Sequence, residues 1–184
     1  MTVTNPEFHY SELPALLLFK KLGYTHLSAA QVDEERESPA EVVLPGRFQA
    51  AVQRLNPGLD PIGLAKAARK ITAVSGDSLL TINKYVHGLL LGSGASVSQL
   101  RGGREYHPPI SYIDFLNIAN NDFVIAQQVR FQGKSSQSIP DLVVYVNGLP
   151  LAVIECKAPS ARDAAAAAVL DLLHYQENSP KHFY

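Results

Sequence analysis

Asn147-Gly148 stands between two apolar runs, Leu142–Val146 and Leu151–Cys156, and it constrains the fold more than any other pair of residues in the chain. Asn-Gly tolerates positive φ at both central positions of a tight turn, so it predicts a β-hairpin that reverses the chain here. Two more runs, Ile110–Phe115 and Asp122–Phe131, are rich in Val, Ile, Tyr and Phe and read as strands. The first half of the chain reads as helical. Ser11–Leu22 supplies apolar positions at helical spacing with Gly23 as a stop; Phe48–Leu55 closes on Asn56-Pro57-Gly58; Pro61–Ile71 and Leu79–Leu91 follow. Residues 33–40 read as a charged loop and 92–96 as a flexible one. After the hairpin, Ser160 opens an alanine-rich helix, with Asp163 at capping-box spacing. Helices, a mostly antiparallel sheet and a closing helix predict one mixed α/β domain over residues 1–184.

Composition narrows the function classes. The 184 residues are 46% hydrophobic and 18% charged, which is globular rather than disordered. A formal net charge of −1 gives no whole-chain basic field. The one cysteine excludes an intramolecular disulfide and a Cys-rich zinc site, and it suits a reducing cytoplasm. Apolar stretches fall short of a membrane span, and the N-terminus lacks a signal-peptide pattern, so a soluble cytoplasmic domain without membrane contact is expected. The six histidines show no metal spacing. Gly92-Ser93-Gly94 lacks the Gly-Lys-Ser/Thr of a phosphate loop, so no ATPase site is expected. Arg101-Gly102-Gly103-Arg104 reads either as a phosphate contact or as a solvated loop. The final residues still follow an element-like pattern, which predicts a fragment of a longer protein.

The chemistry concentrates around the hairpin. Asp141 precedes its first strand; Glu155 and Lys157 close its second and share a face at i, i+2. Reversal at Asn147-Gly148 therefore gathers two carboxylates and an ammonium at one sheet edge. Hard cations bind carboxylate oxygens, and a neighbouring lysine can stabilise a charged transition state. The same residues also read as an exposed strand end with a Glu155–Lys157 surface pair, worth about 0–1 kcal/mol. The unbroken apolar run Leu151–Ile154 argues for the first reading, because it predicts a strand buried on both faces. A strict two-residue turn in perfect register would pair Val146 with Leu149 and Asp141 with Ile154, sending Glu155 to the opposite face. Convergence requires a longer loop, a bulge, or an Asp141 outside the regular ladder. Pro140 and Pro150 make such irregularity plausible.

Beyond this local pattern the chain resembles the N-terminal nuclease domain of the restriction (motor) subunit of type I restriction–modification enzymes, in the PD-(D/E)XK nuclease superfamily. The resemblance runs through Leu44-Pro45, Phe48 and Arg54-Leu55-Asn56-Pro57-Gly58, then Ile113-Asp114-Phe115 and Asn120-Asn121-Asp122-Phe123. It ends in Pro140-Asp141-Leu142-Val143 and the stretch from Asn147 to Lys157. It implies a restriction-endonuclease-like central mixed β-sheet flanked by helices, with an N-terminal helical portion. It also implies Mg²⁺-dependent cleavage of double-stranded DNA within a prokaryotic cytoplasm. Modification and specificity subunits are the implied partners, and ATP would be used by motor domains outside this chain. By the same resemblance, Asp141, Glu155 and the backbone carbonyl of Cys156 hold the metal and Lys157 is the catalytic lysine. Glu12 matches an acidic position that some relatives place near the metal, but also reads as a solvated helix residue. Relatives carry a Gln and a Tyr four residues apart on the following helix; here Asp171 and Tyr175 stand at those places. Tyr175 is expected to line the approach to the metal, while Asp171 is either a solvated residue or a carboxylate whose repulsion Lys157 offsets. A stand-alone nuclease of the same superfamily, in repair or phage defence, is one rival. A catalytically silent DNA- or partner-docking module is the other.

Overall fold

The chain enters the structure, a computed structural model describing residues 5–133 and 135–178, through a π-helical turn at Phe8–Glu12. The turn continues into α1 (Leu13–Lys21). Gly23, at φ 94°, ends the helical segment in the left-handed region that glycine occupies without steric cost. A three-residue strand, β1 (Thr25–Leu27), leads into α2 (Ala29–Glu34). Ser28 and Gln31 form a reciprocal capping box at the start of α2. The charged loop predicted for 33–40 therefore begins later, because the cap carries the helix through Asp33 and Glu34.

Contacts divide the chain into two units, and the second comprises Val43–Asp122 with Val146–Leu149. It contains α3 (Pro45–Leu55), α4 (Pro61–Thr72) and α5 (Leu79–Leu90), then the short ribbon β2 (Gln99–Arg101) and β3 (Arg104–Tyr106). Proline opens α3 and α4, where its missing N–H costs nothing. Asp60 and Ser78 cap α4 and α5. Phe48, Val52, Ala67, Ile71, Leu89 and Tyr112 form the centre of this unit's core. The strand expected at Ile110–Phe115 does not form. Side-chain amides take the place of a neighbouring strand there. Asn56 accepts the Ser111 N–H at 2.8 Å and donates to its carbonyl at 2.9 Å, and Asn147 donates to the Tyr112 carbonyl at 2.8 Å.

The remaining residues form the first unit together with the N-terminal segment. They supply β4 (Phe123–Gln127), β5 (Phe131–Gln132), β6 (Gln137–Ser138), β7 (Leu142–Val146), β8 (Leu149–Ile154) and α6 (Ala164–Asn178). The main sheet has the order β1-β4-β7-β8. β1 runs parallel to β4, with Thr25 opposite Val124. β4 and β7 run antiparallel, since Gln128 N–H donates to Asp141 O and Asn147 N–H donates to Asp122 O. The chain is thus α/β, with a central mixed sheet of four strands flanked by helices, the architecture expected. The single strand expected over Asp122–Phe131 is split at Gln128, which takes φ 53°.

Leu16 of α1 packs on Ile125, Leu142 and Val144 of the sheet, with Phe19, Tyr24 and Ile154 around them. Burying such a side chain contributes about 1.5–3 kcal/mol. Every residue of β7 is buried. β8 is not buried on both faces as predicted: it lies at the edge of the sheet, and Leu151 is 41% exposed. The hairpin turn is a tight one, with φ of 54° at Asn147 and 78° at Gly148, and no longer loop intervenes. Gly148 also sits against α3, where an added Cβ would meet Leu44 O and Phe48 N at 2.7 Å each. α6 starts at Ala164, later than the Ser160 start expected, and Asp163 at φ 52° lies outside it, so the Ser160–Asp163 box is absent. No helix among the described residues is long and apolar enough to cross a membrane.

Candidate active site

Asp141 sits one residue before β7, and Glu155 one residue after β8, so both carboxylates hang off strand ends. Asp141 thus stands just outside β7, one of the irregularities the sequence offered for reconciling a tight turn with carboxylates at one edge. Asp141 Oδ2 accepts the Cys156 N–H at 2.6 Å, tying the two ends of the hairpin together. Its Oδ1 accepts the Gln128 Nε2–H at 3.2 Å. Burial raises the Asp141 pKa; the Cys156 N–H opposes this, while the Glu12 charge adds to it.

Glu155 is the more perturbed group. Its side chain is 5% exposed, and its Oε1 is buried without a hydrogen-bond donor. Burial first, and the Asp141 charge second, push its pKa up to about 7, against the Tyr175 hydroxyl and Lys157, which favour ionisation. Lys157 Nζ lies 3.6 Å from Glu155 Oε2 and 2.7 Å from Asp171 Oδ2. The hydrogen bond that Lys157 donates to Asp171 is the main cause of a raised Lys157 pKa, with burial opposing, so the lysine stays charged. The Lys157 carbonyl accepts the Ser11 hydroxyl at 2.6 Å, anchoring the strand end to the N-terminal segment. The Cys156 thiol is buried and pushed up to about 11, mainly by burial, and stays protonated at neutral pH.

The structure brings the remaining sequence candidates to the same place. Glu12 is not a solvated helix residue: it is 3% exposed. Its Oε1 accepts Gln127 Nε2–H at 2.7 Å, and Gln128 Nε2 bridges it, at 3.3 Å, to Asp141. Asp171 and Tyr175 lie four apart on α6, and Asp171 pairs with Lys157 while its own side chain stays 46% exposed. Burial and the Glu155 charge raise the Tyr175 pKa, and its hydroxyl donates to the Ile139 carbonyl at 3.4 Å. Gln127 and Gln128 were missed by sequence reasoning. Nothing in the sequence marks a glutamine that leaves its strand at positive φ and turns its amide between two buried carboxylates.

Among the described residues no three His, Cys, Asp or Glu side chains are grouped to hold a metal ion. The two buried carboxylates of Asp141 and Glu155 offer oxygen donors. That suits Mg²⁺, which uses one or two carboxylates and keeps several waters. The donorless Glu155 oxygen beside a second buried carboxylate fits a cation, since an unpartnered buried carboxylate is otherwise costly.

The family described as Type I restriction enzyme R protein N terminus matches residues 6–183. The chain belongs to this family. Among relatives of this R protein region, a Methanocaldococcus jannaschii protein is 28% identical over 173 residues, 90% of the chain. Its name assigns it provisionally as the endonuclease subunit of type I restriction enzyme MjaIXP. The HindI type I restriction enzyme endonuclease subunit of Haemophilus influenzae is 31% identical over 124 residues, 67% of the chain. The chain spans only 16% and 12% of these two relatives' lengths.

Proposed function

We propose that this chain is the nuclease part of a type I restriction enzyme R subunit and cuts double-stranded DNA by Mg²⁺-dependent phosphodiester hydrolysis. The observation that carries the reading is the buried Asp141–Glu155 pair, with one Glu155 oxygen left without a donor, beside a lysine held in its charged form. Family membership and the endonuclease names of the relatives support the same reading. Asp141, Glu155 and the Cys156 carbonyl would hold Mg²⁺, which when bound supplies Lewis-acid polarisation of the phosphate.

The chain's own groups do the rest. Lys157, kept protonated by Asp171, is a poor base and a good fixed charge for a phosphoryl oxygen. Asp171 limits where that ammonium can swing. Tyr175 keeps its proton and presents a neutral hydroxyl beside Glu155. Gln128 and the Cys156 N–H fix the Asp141 carboxylate from two directions. Modification and specificity subunits, and an ATP-driven motor beyond this chain, complete the proposed assembly.

Asp141→Ala, Glu155→Ala and Lys157→Ala in the assembled enzyme should each lower DNA cleavage by about 100-fold or more while ATP hydrolysis continues. Cleavage at the wild-type rate by Lys157→Ala would remove the lysine from the reaction.

A further inference from the structure

The ribbon β2–β3 belongs to neither the main sheet nor the candidate active site, and it has a construction that stability alone does not explain. Arg101 and Arg104 are directly opposite each other across its end. Like charges in that position are destabilising. Both are exposed, and neither forms an ion pair among the described residues. Glu105, next to Arg104, does not neutralise them: its carboxylate accepts the Ser98 hydroxyl and lies 3.9 Å from His107. On the ladder Glu105 pairs with Leu100, so it points to the opposite face. The turn is Gly102-Gly103, both at positive φ, with nothing within 4 Å of either position. Such a tip is thin, bare of side chains and open to close approach.

The base of the ribbon is firmly held. Gln99 is 6% exposed; it accepts the Asp60 N–H at 3.1 Å and donates to Gly58 O at 3.0 Å, and it also bonds the Tyr106 hydroxyl. Gly63 leaves room for it, since a Cβ there would meet Gln99 Oε1 at 2.6 Å. Lys66 Nζ donates to Ser98 O at 2.8 Å. An anchored stem thus presents two uncompensated guanidiniums at its end. The charge of the whole chain conceals a division in the same direction. Residues 43–122 carry eight Lys and Arg against five Asp and Glu, a net +3, and the rest carry eight against twelve, a net −4.

We infer that the ribbon Gln99–Tyr106 is an arm that contacts the phosphate backbone of duplex DNA through Arg101 and Arg104. This rests on the reading of DNA as the substrate, and it places a contact on the unit that does not hold the candidate active site. A polyanion offsets the repulsion between the two arginines, which the free protein leaves unrelieved, and a two-stranded ribbon is narrow enough to follow a groove of the duplex.

The test is fluorescence anisotropy of the whole 184-residue chain on a labelled duplex in EDTA, from about 20 to 200 mM salt, a range over which phosphate contacts weaken strongly. Arg101→Ala/Arg104→Ala should weaken binding about tenfold and lower the slope of log affinity against log salt by about 1.8, the value for two phosphate contacts. Arg101→Lys/Arg104→Lys should keep the slope. Lys20→Ala/Lys21→Ala, with the same change in charge on α1, should bind like wild type. The double alanine variant should melt no lower than wild type, because a like-charge pair is gone, so its lost affinity would not reflect unfolding. Wild-type affinity in that variant, an equal loss in the Lys20/Lys21 control, or no duplex binding by the wild-type chain at 20 mM salt would each overturn the inference. Retained duplex binding with lost capture of a polyglutamate peptide would assign the arm to an acidic protein surface and overturn it too. Binding is read where no cleavage occurs, so failure here leaves the Asp141–Glu155–Lys157 reading standing, and failure of the cleavage test leaves the arm standing.

Discussion

Glu155 titrates near neutrality because burial and the Asp141 charge hold it up to about 7. In the unfolded chain the same carboxyl releases its proton near the ordinary value of about 4.3. Between those two values the folded state binds more protons than the unfolded one, so stability falls as pH rises through that window and levels off above it. Asp141 is raised as well and acts in the same direction. A bound cation favours the ionised carboxylates and opposes the trend. In EDTA the melting temperature should therefore be lower at pH 8 than at pH 5.5. Mg²⁺ should raise it more at pH 8, and Glu155→Gln should flatten both effects. Equal melting temperatures for wild type at the two pH values would mean that Glu155 is solvated. At this scale the sequence was readable where groups are close along the chain or joined by the hairpin, as Asp141, Glu155 and Lys157 are. Glu12 was not: a helix position looks the same whether it faces water or the amides of Gln127 and Gln128. The bond from Lys157 to Asp171 depended on the placement of α6, which sequence fixes poorly after an irregular connection.

Among the elements, the turn at Asn147-Gly148 is constrained twice, by its backbone and by its surroundings. Gly148→Ala forces a Cβ into the left-handed region and against the backbone atoms Leu44 O and Phe48 N at the start of α3, at 2.7 Å each, neither of which can rotate away. It should destabilise by about 2–4 kcal/mol in chemical denaturation. Gly102→Ala has a similar φ of 58° but open space around it, and should cost only about 1–2 kcal/mol. Equal costs at the two positions would show that φ alone governs both. β7 was legible to the residue because both its faces are apolar and its turn is unambiguous. β1 was invisible: three residues in a parallel pair with β4 display no alternation long enough to read. Ile110–Phe115 has strand composition but satisfies its backbone through Asn56 and Asn147, a solution that leaves no periodic trace. β8 misled because an unbroken apolar run normally means burial on both faces, whereas here it lies along an edge.

Across the whole molecule, a net charge of −1 conceals how unevenly charge is distributed. Positive charge gathers in residues 43–122, while the acidic groups of the candidate active site belong to the other unit. Exposed apolar side chains are spread along the chain, and they include Leu151 on β8 and Val169, Leu170 and Leu173 on α6, all 41% exposed or more. An edge strand of this kind is a template on which another chain can add its own backbone. Sedimentation velocity should show association that grows with protein concentration, and Leu151→Lys, which sets a charge on the edge, should suppress it. A concentration-independent sedimentation coefficient for the wild-type chain would count against edge pairing. The position of β8 thus bears on colloidal behaviour as much as on chemistry. A strand that carries Glu155 and Lys157 at a sheet margin also leaves an unpaired backbone edge, so crowding many copies together sets that edge in competition with pairing between chains.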